Sequence, residues 1–147
     1  MADRIPEEST ARARPGAMET LHALLGSMPV AYFLLAFLFD IAYVRSTYFL
    51  WPFFSVWLIT AGLVAGGFAV LLGLIEWFAH RRDRARRSLR WHGIVTIVAL
   101  VLGLINVFVH SRDGWTSVVP EGIILSGVTT VLMIVAAFLG AASRRTA

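Results

Sequence analysis

Residues 91–110, WHGIVTIVALVLGLINVFVH, constrain the fold more than any other stretch of the sequence. A helix of this length, at about 1.5 Å per residue, is long enough to cross the hydrocarbon core of a bilayer. Apart from Gly93, its small and polar residues recur in steps of four and three, which places them on one face of a helix. A narrow line of small and polar residues on an otherwise apolar helix, which we call the seam, is typical of a membrane helix that turns this line toward other helices. The seam consists of His92, Thr96, Ala99, Gly103, Asn106 and His110.

Three further apolar runs of similar length predict three more spans. The chain is 58% apolar, with a mean hydropathy of +0.74, which is too much for a soluble core of 147 residues to bury. We therefore expect an all-α fold, a transmembrane four-helix bundle over residues 21–142. The predicted spans are about 24–44, 55–78, 92–110 and 122–140. Residues 1–20 read as a polar tail, 45–54 as an aromatic-rich link, and 143–147 as a basic tail.

The basic residues predict the orientation of the bundle. All thirteen are arginines, and eleven lie in the N-terminal tail, between residues 81 and 90, or at the C-terminus. The cytoplasmic segments of membrane proteins carry an excess of basic residues. We therefore expect the bundle to lie in a bacterial inner membrane with both termini in the cytoplasm. The arginines between residues 81 and 90 are better explained by binding to anionic lipid than by binding to nucleic acid, because this segment is expected to lie against the bilayer. Its arginines are Arg81, Arg82, Arg84, Arg86, Arg87 and Arg90.

Small residues on the second and third spans predict close helix packing. Gly62 and Gly66 form a GxxxG pair, which lets a partner helix approach backbone to backbone. The same face of the second span continues toward Glu76 and His80. Cysteine is absent, which excludes disulfides, iron–sulfur clusters and covalently attached c-type haem. The packing residues are Gly62, Gly66, Ala69, Gly73, Gly103 and Asn106.

Four side chains are expected at the cytoplasmic ends of the first three spans: His22, Glu76, His80 and His92. Glu76 and His80 are four residues apart, a spacing at which two side chains can bind one metal ion. The set is therefore a candidate metal site, or a proton-accepting group beside a transport path. The alternative interpretation is that water, lipid phosphate and the neighbouring arginines satisfy all four groups in the headgroup region.

Asp40 and His110 are expected at the opposite ends of the first and third spans. A carboxylate within an apolar run is costly unless it is paired, and His110, Arg45 and Arg112 are the available cations. We expect a structural ion pair between Asp40 and His110 that fixes two helices in register. A protonation switch or a quinone contact is the functional alternative.

Haem would require two histidines that face each other across the bundle at one depth. His22 and His92 meet this requirement but lie too near the ends of their spans to hold a macrocycle inside the bilayer. A small transporter would require polar groups in mid-membrane, where this seam offers only Thr96, Ala99, Gly103 and Asn106. No arrangement typical of a catalytic nucleophile or of a phosphate-binding loop is present, so we expect no enzyme.

The order of residues resembles a bacterial membrane family called domain of unknown function 2231. The resemblance rests on His22-Ala-Leu-Leu-Gly-Ser-Met-Pro29-Val-Ala and the run to Asp40, on residues 61–76, and on His92. It covers about residues 22–140 and implies four spans and no established activity. Some relatives are fused to Rieske or cytochrome modules, which implies work near electron transfer. Ala23 and Ser27 replace a Pro and a second His of the family pattern, and the expected histidine after the fourth span is missing.

These observations favour a non-enzymatic accessory or assembly subunit of a larger inner-membrane complex, with an energy-transducing complex as the candidate. Its expected partners are membrane lipids and other membrane-protein subunits, and no cofactor is assigned. A haem- or metal-binding redox module that uses the cytoplasmic His/Glu cluster is the alternative. A small transporter is the third.

Overall fold

A computed structural model describes residues 16–79 and 87–145 of the chain. These residues form four long α-helices and no strand, and each helix is long and apolar enough to cross a membrane. The expected all-α fold with four spans is thereby confirmed. The helices are α1 (Ala17–Ser46), α2 (Leu50–Ala79), α3 (Arg87–His110) and α4 (Glu121–Arg145), and a short 3-10 helix (Gly114–Ser117) lies between α3 and α4.

The helices extend beyond the predicted spans, and the first link is shorter than expected. Residues 50–54 belong to the first turns of α2, so the link shrinks to residues 47–49. Pro52 is compatible with this start because the first N–H groups of a helix have no intrahelical partner. Residues 17–20 and 143–145, expected in the tails, are likewise helical.

The four helices pack as a ring in which α1 contacts α2 and α4, and α3 contacts the same two helices. We name the end with residues 47–49 and 111–120 the link end, and the opposite end the tail end. The chain passes from the tail end to the link end in α1 and α3, and returns in α2 and α4.

The periodic lines of small and polar residues form the buried faces of the helices. On α3, every member from Thr96 to His110 is buried, and on α4 the line from Gly122 to Gly140 is buried throughout. An apolar core of Phe33, Ala36, Ile59, Ala99 and Met133 lies in the middle of the bundle and contains residues from all four helices.

Glycines let large side chains of neighbouring helices lie against the backbone. The Phe33 ring lies against both Gly62 and Gly103: a Cβ would be 3.1 Å from the ring at Gly62 and 3.2 Å at Gly103. At Gly66, a Cβ would lie 2.6 Å from Leu100 Cδ2 and 3.3 Å from Pro29 Cγ. The GxxxG face of α2 is therefore occupied by α1 and α3 of the same chain.

The outer surface of the bundle is almost wholly apolar. Only 22–33% of the residues in the most apolar window of each span are buried inside the chain, so lipid or another protein must cover the rest. Between α1 and α4 this surface forms an open groove of about 530 Å³. The groove is lined by Phe37, Ile123, Ile124, Gly127, Val128, Val131 and Leu132.

The Gly66 contact predicts a large difference between two adjacent glycines. Gly66→Leu should lower the free energy of unfolding by about 1–3 kcal/mol, because the added side chain collides with Leu100 and Pro29. Gly67→Leu should change it little, because nothing lies within 4 Å of a Cβ at Gly67. Unfolding in detergent or bicelles measures both, and equal losses would contradict the packing described.

Candidate functional site

A polar cluster lies at the link end of the bundle, centred on Asp40 of α1 and His110 of α3. Both side chains are fully buried, and His110 Nε2 lies 3.0 Å from Asp40 Oδ1. The two residues are 70 apart in sequence, but each lies on the buried line of its helix near the helix end. The expected partners thus lie side by side.

The second ring nitrogen of His110 faces two acceptors. Nδ1 lies 3.1 Å from the Asn106 carbonyl oxygen and 3.1 Å from Asn106 Oδ1. Neither oxygen can donate, so Nδ1 must carry a hydrogen and donate it. Nε2 and Asp40 Oδ1 then share one proton: either the acid donates to a neutral imidazole, or an imidazolium donates to the carboxylate.

The network continues from Asn106 to α4. Asn106 Nδ2 donates to Ser126 Oγ over 2.8 Å, and one turn further along α4 the Thr130 hydroxyl lies 3.0 Å from the Phe33 carbonyl oxygen. Beyond Thr130 the bundle interior is filled by the apolar core. The described network therefore extends from the link end to the core and does not cross it.

The 3-10 helix and the start of α4 cover this cluster. A Cβ on Gly122 would lie 2.5 Å from the Ser117 carbonyl oxygen and 3.0 Å from His110 Cε1, so only glycine fits between them. The Tyr43 ring packs against Trp115 in a tilted arrangement, with centroids 5.6 Å apart. Above this layer, Arg112 and Glu121 form an exposed pair over 3.4 Å, so Arg112 is not the partner of Asp40.

At the tail end, His22 and His92 lie against different helices. His92 Nδ1 is 2.7 Å from the Ala136 carbonyl oxygen, and the ring lies against Gly140 of α4. The His22 ring lies against Gly73 of α2, and its Nδ1 is buried without a hydrogen-bond partner among the described residues.

The rest of the expected tail-end cluster lies outside what the structure describes. This applies to His80, to the side chain of Glu76, and to Arg81, Arg82, Arg84 and Arg86. The backbone of Arg87 belongs to α3, and Arg90 is exposed near the start of that helix. Among the described residues, no three His, Asp or Glu side chains form a group that could hold a metal ion.

Sequence reasoning missed the bonds that run from side chains to the backbone of another helix. Ser55 Oγ donates to the Ala36 carbonyl oxygen over 3.1 Å, and His92 bonds to that of Ala136. A backbone acceptor has no signature in the sequence. A polar residue on the buried face of a helix is the one sequence feature that could indicate such a bond. Ser55 is a weak example, because it lies among apolar residues at the start of α2.

The buried pair predicts an asymmetry between two acidic residues. Asp40→Leu should lower the free energy of unfolding by about 2 kcal/mol or more, because it leaves His110 Nε2 buried without a partner. Glu121→Gln, which weakens an exposed pair, should cost less than about 1 kcal/mol. Reversible unfolding of both variants in bicelles checks this, and a loss at Asp40 no larger than that at Glu121 would count against it.

The comparison with protein families agrees with the fold. The family model for "Predicted membrane protein (DUF2231)" matches residues 18–144, which is nearly the whole helical region. No curated protein and no solved structure matches the chain. The chain belongs to the predicted membrane protein family DUF2231.

Proposed function

We propose that this protein is a non-enzymatic accessory or assembly subunit of a larger complex in the bacterial inner membrane. In this proposal the arginine-rich segments and both termini lie in the cytoplasm, as the arginine distribution favours. The link end, with Asp40 and His110, then faces the periplasm. An energy-transducing complex is the first candidate for the assembly.

The observation that carries the proposal is how the bundle uses its polar groups. Side chains on all four helices bond across to a neighbouring helix: Ser55 to Ala36, His92 to Ala136, Asn106 to Ser126, Thr130 to Phe33, and His110 to Asp40. These bonds join the helices to one another, and the core between the two ends is apolar. A bundle joined in this way is suited to a scaffold, whereas a transporter would need a polar path through the core.

The α1–α4 groove is the surface we assign to a transmembrane helix of a partner subunit. Its lining is entirely apolar, so it suits an occupant that is itself in the lipid phase. Gly127 lies on its α4 side, where a Cβ would be 3.2 Å from the Phe37 ring. The absence of a side chain at Gly127 lets the Phe37 ring of α1 lie close to α4 and form one wall of the groove.

Site-specific photocrosslinking in the native membrane tests this assignment. A photoreactive residue at Val131, in the groove, should give a crosslinked product with one defined membrane subunit. The same residue at Ile97 serves as the matched control, because that side chain is similarly exposed but lies on α3, outside the groove.

Native mass analysis after gentle extraction gives the stoichiometry, and deletion of the gene should lower the amount of the assembled complex. A chain that is extracted alone and crosslinks only to lipid at both positions would overturn the proposal. Equal crosslinking to many unrelated proteins at Val131 and Ile97 would overturn it as well.

A metal-binding redox module is the second candidate, and the His92 contact favours it. Because the Ala136 carbonyl can only accept, His92 Nδ1 must donate, which leaves the lone pair of a neutral imidazole on Nε2. A histidine fixed in this way is typical of metal ligands. His22, whose Nδ1 lacks a partner among the described residues, supplies a second nitrogen. Glu76 and His80 are the further ligands predicted from the sequence.

Metal analysis and an absorption spectrum of the purified protein distinguish this candidate. If the histidines bind a metal, it should be present near one per chain and be lost in His92→Gln. The variant His110→Gln is the matched control, because His110 lies at the other end of the bundle. A colourless protein with no stoichiometric metal would exclude both the metal and the haem versions.

A further inference from the structure

One residue from each helix contributes to a layer of contacts near the tail end of the bundle. This tail layer consists of His22, Gly73, His92 and Gly140. A Cβ on Gly73 would lie 3.0 Å from the His22 ring, and a Cβ on Gly140 would lie 3.1 Å from the His92 ring. Each glycine therefore lies at the depth of the histidine that it contacts.

A second layer of four residues lies near the link end. This link layer consists of Asp40, Ser55, His110 and Gly122. His110 Nε2 is 3.0 Å from Asp40 Oδ1, and a Cβ on Gly122 would lie 3.0 Å from His110 Cε1. Ser55 bonds to the carbonyl oxygen of Ala36, one turn before Asp40. These contacts hold all four helices at a common depth.

The two layers enclose a slab without formal charge. On every helix the two layer residues are eighteen residues apart, which is about 27 Å at about 1.5 Å per residue. The four segments between them, 23–39, 56–72, 93–109 and 123–139, contain no Asp, Glu, Lys, Arg or His. The hydrocarbon core of a typical bilayer is about 30 Å thick, so the slab has the dimension and the composition of such a core.

The tryptophans lie near the two layers. Four of the five are within four residues of a layer residue, and the fifth, Trp115, lies in the link between α3 and α4. Trp91 and Trp115 are 49% and 46% exposed, and Trp51 Nε1 donates to Ser46 Oγ over 2.9 Å. Tryptophan is enriched at membrane–water interfaces, because its ring is apolar and its N–H is polar. The full set is Trp51, Trp57, Trp77, Trp91 and Trp115.

We infer that the tail layer and the link layer lie at the two boundaries of the hydrocarbon core, and that the outward surface between them binds fluid phospholipid chains that form a core about 27 Å thick. The middle of the bilayer then passes halfway between the layers. The residues at that depth are all exposed, and they are Ala31, Val64, Val101 and Val131. This inference depends neither on the orientation of the bundle nor on the role as an accessory subunit.

This placement gives α1 and α2 shorter spans than the sequence predicted. Val44 lies four residues beyond Asp40, and Phe78 lies five residues beyond Gly73. Both side chains then lie in the headgroup region, although the predicted spans 24–44 and 55–78 include them. The Asp40 side chain lies at the boundary and not at the centre of the bilayer, where a charged group is most costly.

Spin-label accessibility of the full chain, alone in nanodiscs of dioleoylphosphatidylcholine, tests the boundaries. The chain has no cysteine, so one introduced cysteine carries each nitroxide. Labels at Leu38 and Leu71, inside the slab, should collide mainly with oxygen, which concentrates in lipid. Labels at Val44 and Phe78, outside it, should collide mainly with a water-soluble nickel chelate. All four side chains are exposed, so the labels leave the interior of the bundle unchanged.

The ratio of oxygen to nickel accessibility should be highest at Val64 and Val101 and fall toward both ends of the bundle. Labels at Val44 and Phe78 that are as deep as those at Leu38 and Leu71 would overturn the inference. A maximum that lies a helical turn or more from both midpoints would overturn it as well.

Bilayers of different thickness give a second readout. Resistance to unfolding should be highest in dioleoylphosphatidylcholine and lower in both the thinner dimyristoleoyl and the thicker dierucoyl lipid, because either mismatch exposes apolar surface or buries polar groups. Equal resistance in all three lipids, or a steady rise with chain length, would contradict the matched thickness. The chain is measured alone, so the result is independent of any partner subunit.

Discussion

Lipid offers no hydrogen-bond partner, and this constraint explains most of the interior of the bundle. Within a span, a polar side chain must bond to its own helix, bond to a neighbouring helix, or stay unsatisfied. Thr60, Thr96 and Ser143 bond to the carbonyl four residues before them, whereas Ser55 and His92 reach a carbonyl of another helix. Asn106 and His110, which have two polar ends each, link α3 to α4 and to α1. The cross-helix bonds thus fix which helices are neighbours and at what register.

Packing and polar bonding depend on each other here. The ring of Phe33 can lie between Gly62 and Gly103 only if α1, α2 and α3 are held at one register, and the Thr130 bond to the Phe33 carbonyl oxygen fixes α4 at the same depth. In lipid, moving an apolar side chain from the surface to the interior of the bundle contributes little stability, because both surroundings are apolar. The dispersion contacts of the closely packed Phe33 ring therefore contribute more. Asp40 lies two turns further along α1, so the core and the buried pair stabilise the same arrangement of α1 and α3.

The sequence predicted the spans and the buried faces because both follow from periodicity along a single helix. The line from Pro29 to Tyr43 could be read as a face without any knowledge of its neighbours, and Asp40 on that line required a partner. What periodicity cannot supply is rotation and depth between helices. The bond of His92 to the Ala136 carbonyl oxygen of α4, for example, does not follow from the position of His92 on the line of α3. The link between α1 and α2 was overestimated for a different reason: aromatic residues and Pro52 are compatible with both a loop and a first helical turn.

The apolar core divides the bundle into two ends that should act independently. Asp40 and His110 lie on one side of Phe33 and Met133, and His22 and His92 lie on the other. His22 and Asp40 are about 27 Å apart along α1, at 1.5 Å per residue, and no polar chain among the described residues joins them. Substitutions that share no partner at such a separation are expected to have additive effects. The buried pair at the link end and any ligand at the tail end are therefore separate features of one scaffold. A measured coupling between them would require the core, or the helices α1 and α3 that pass through it, to have two arrangements.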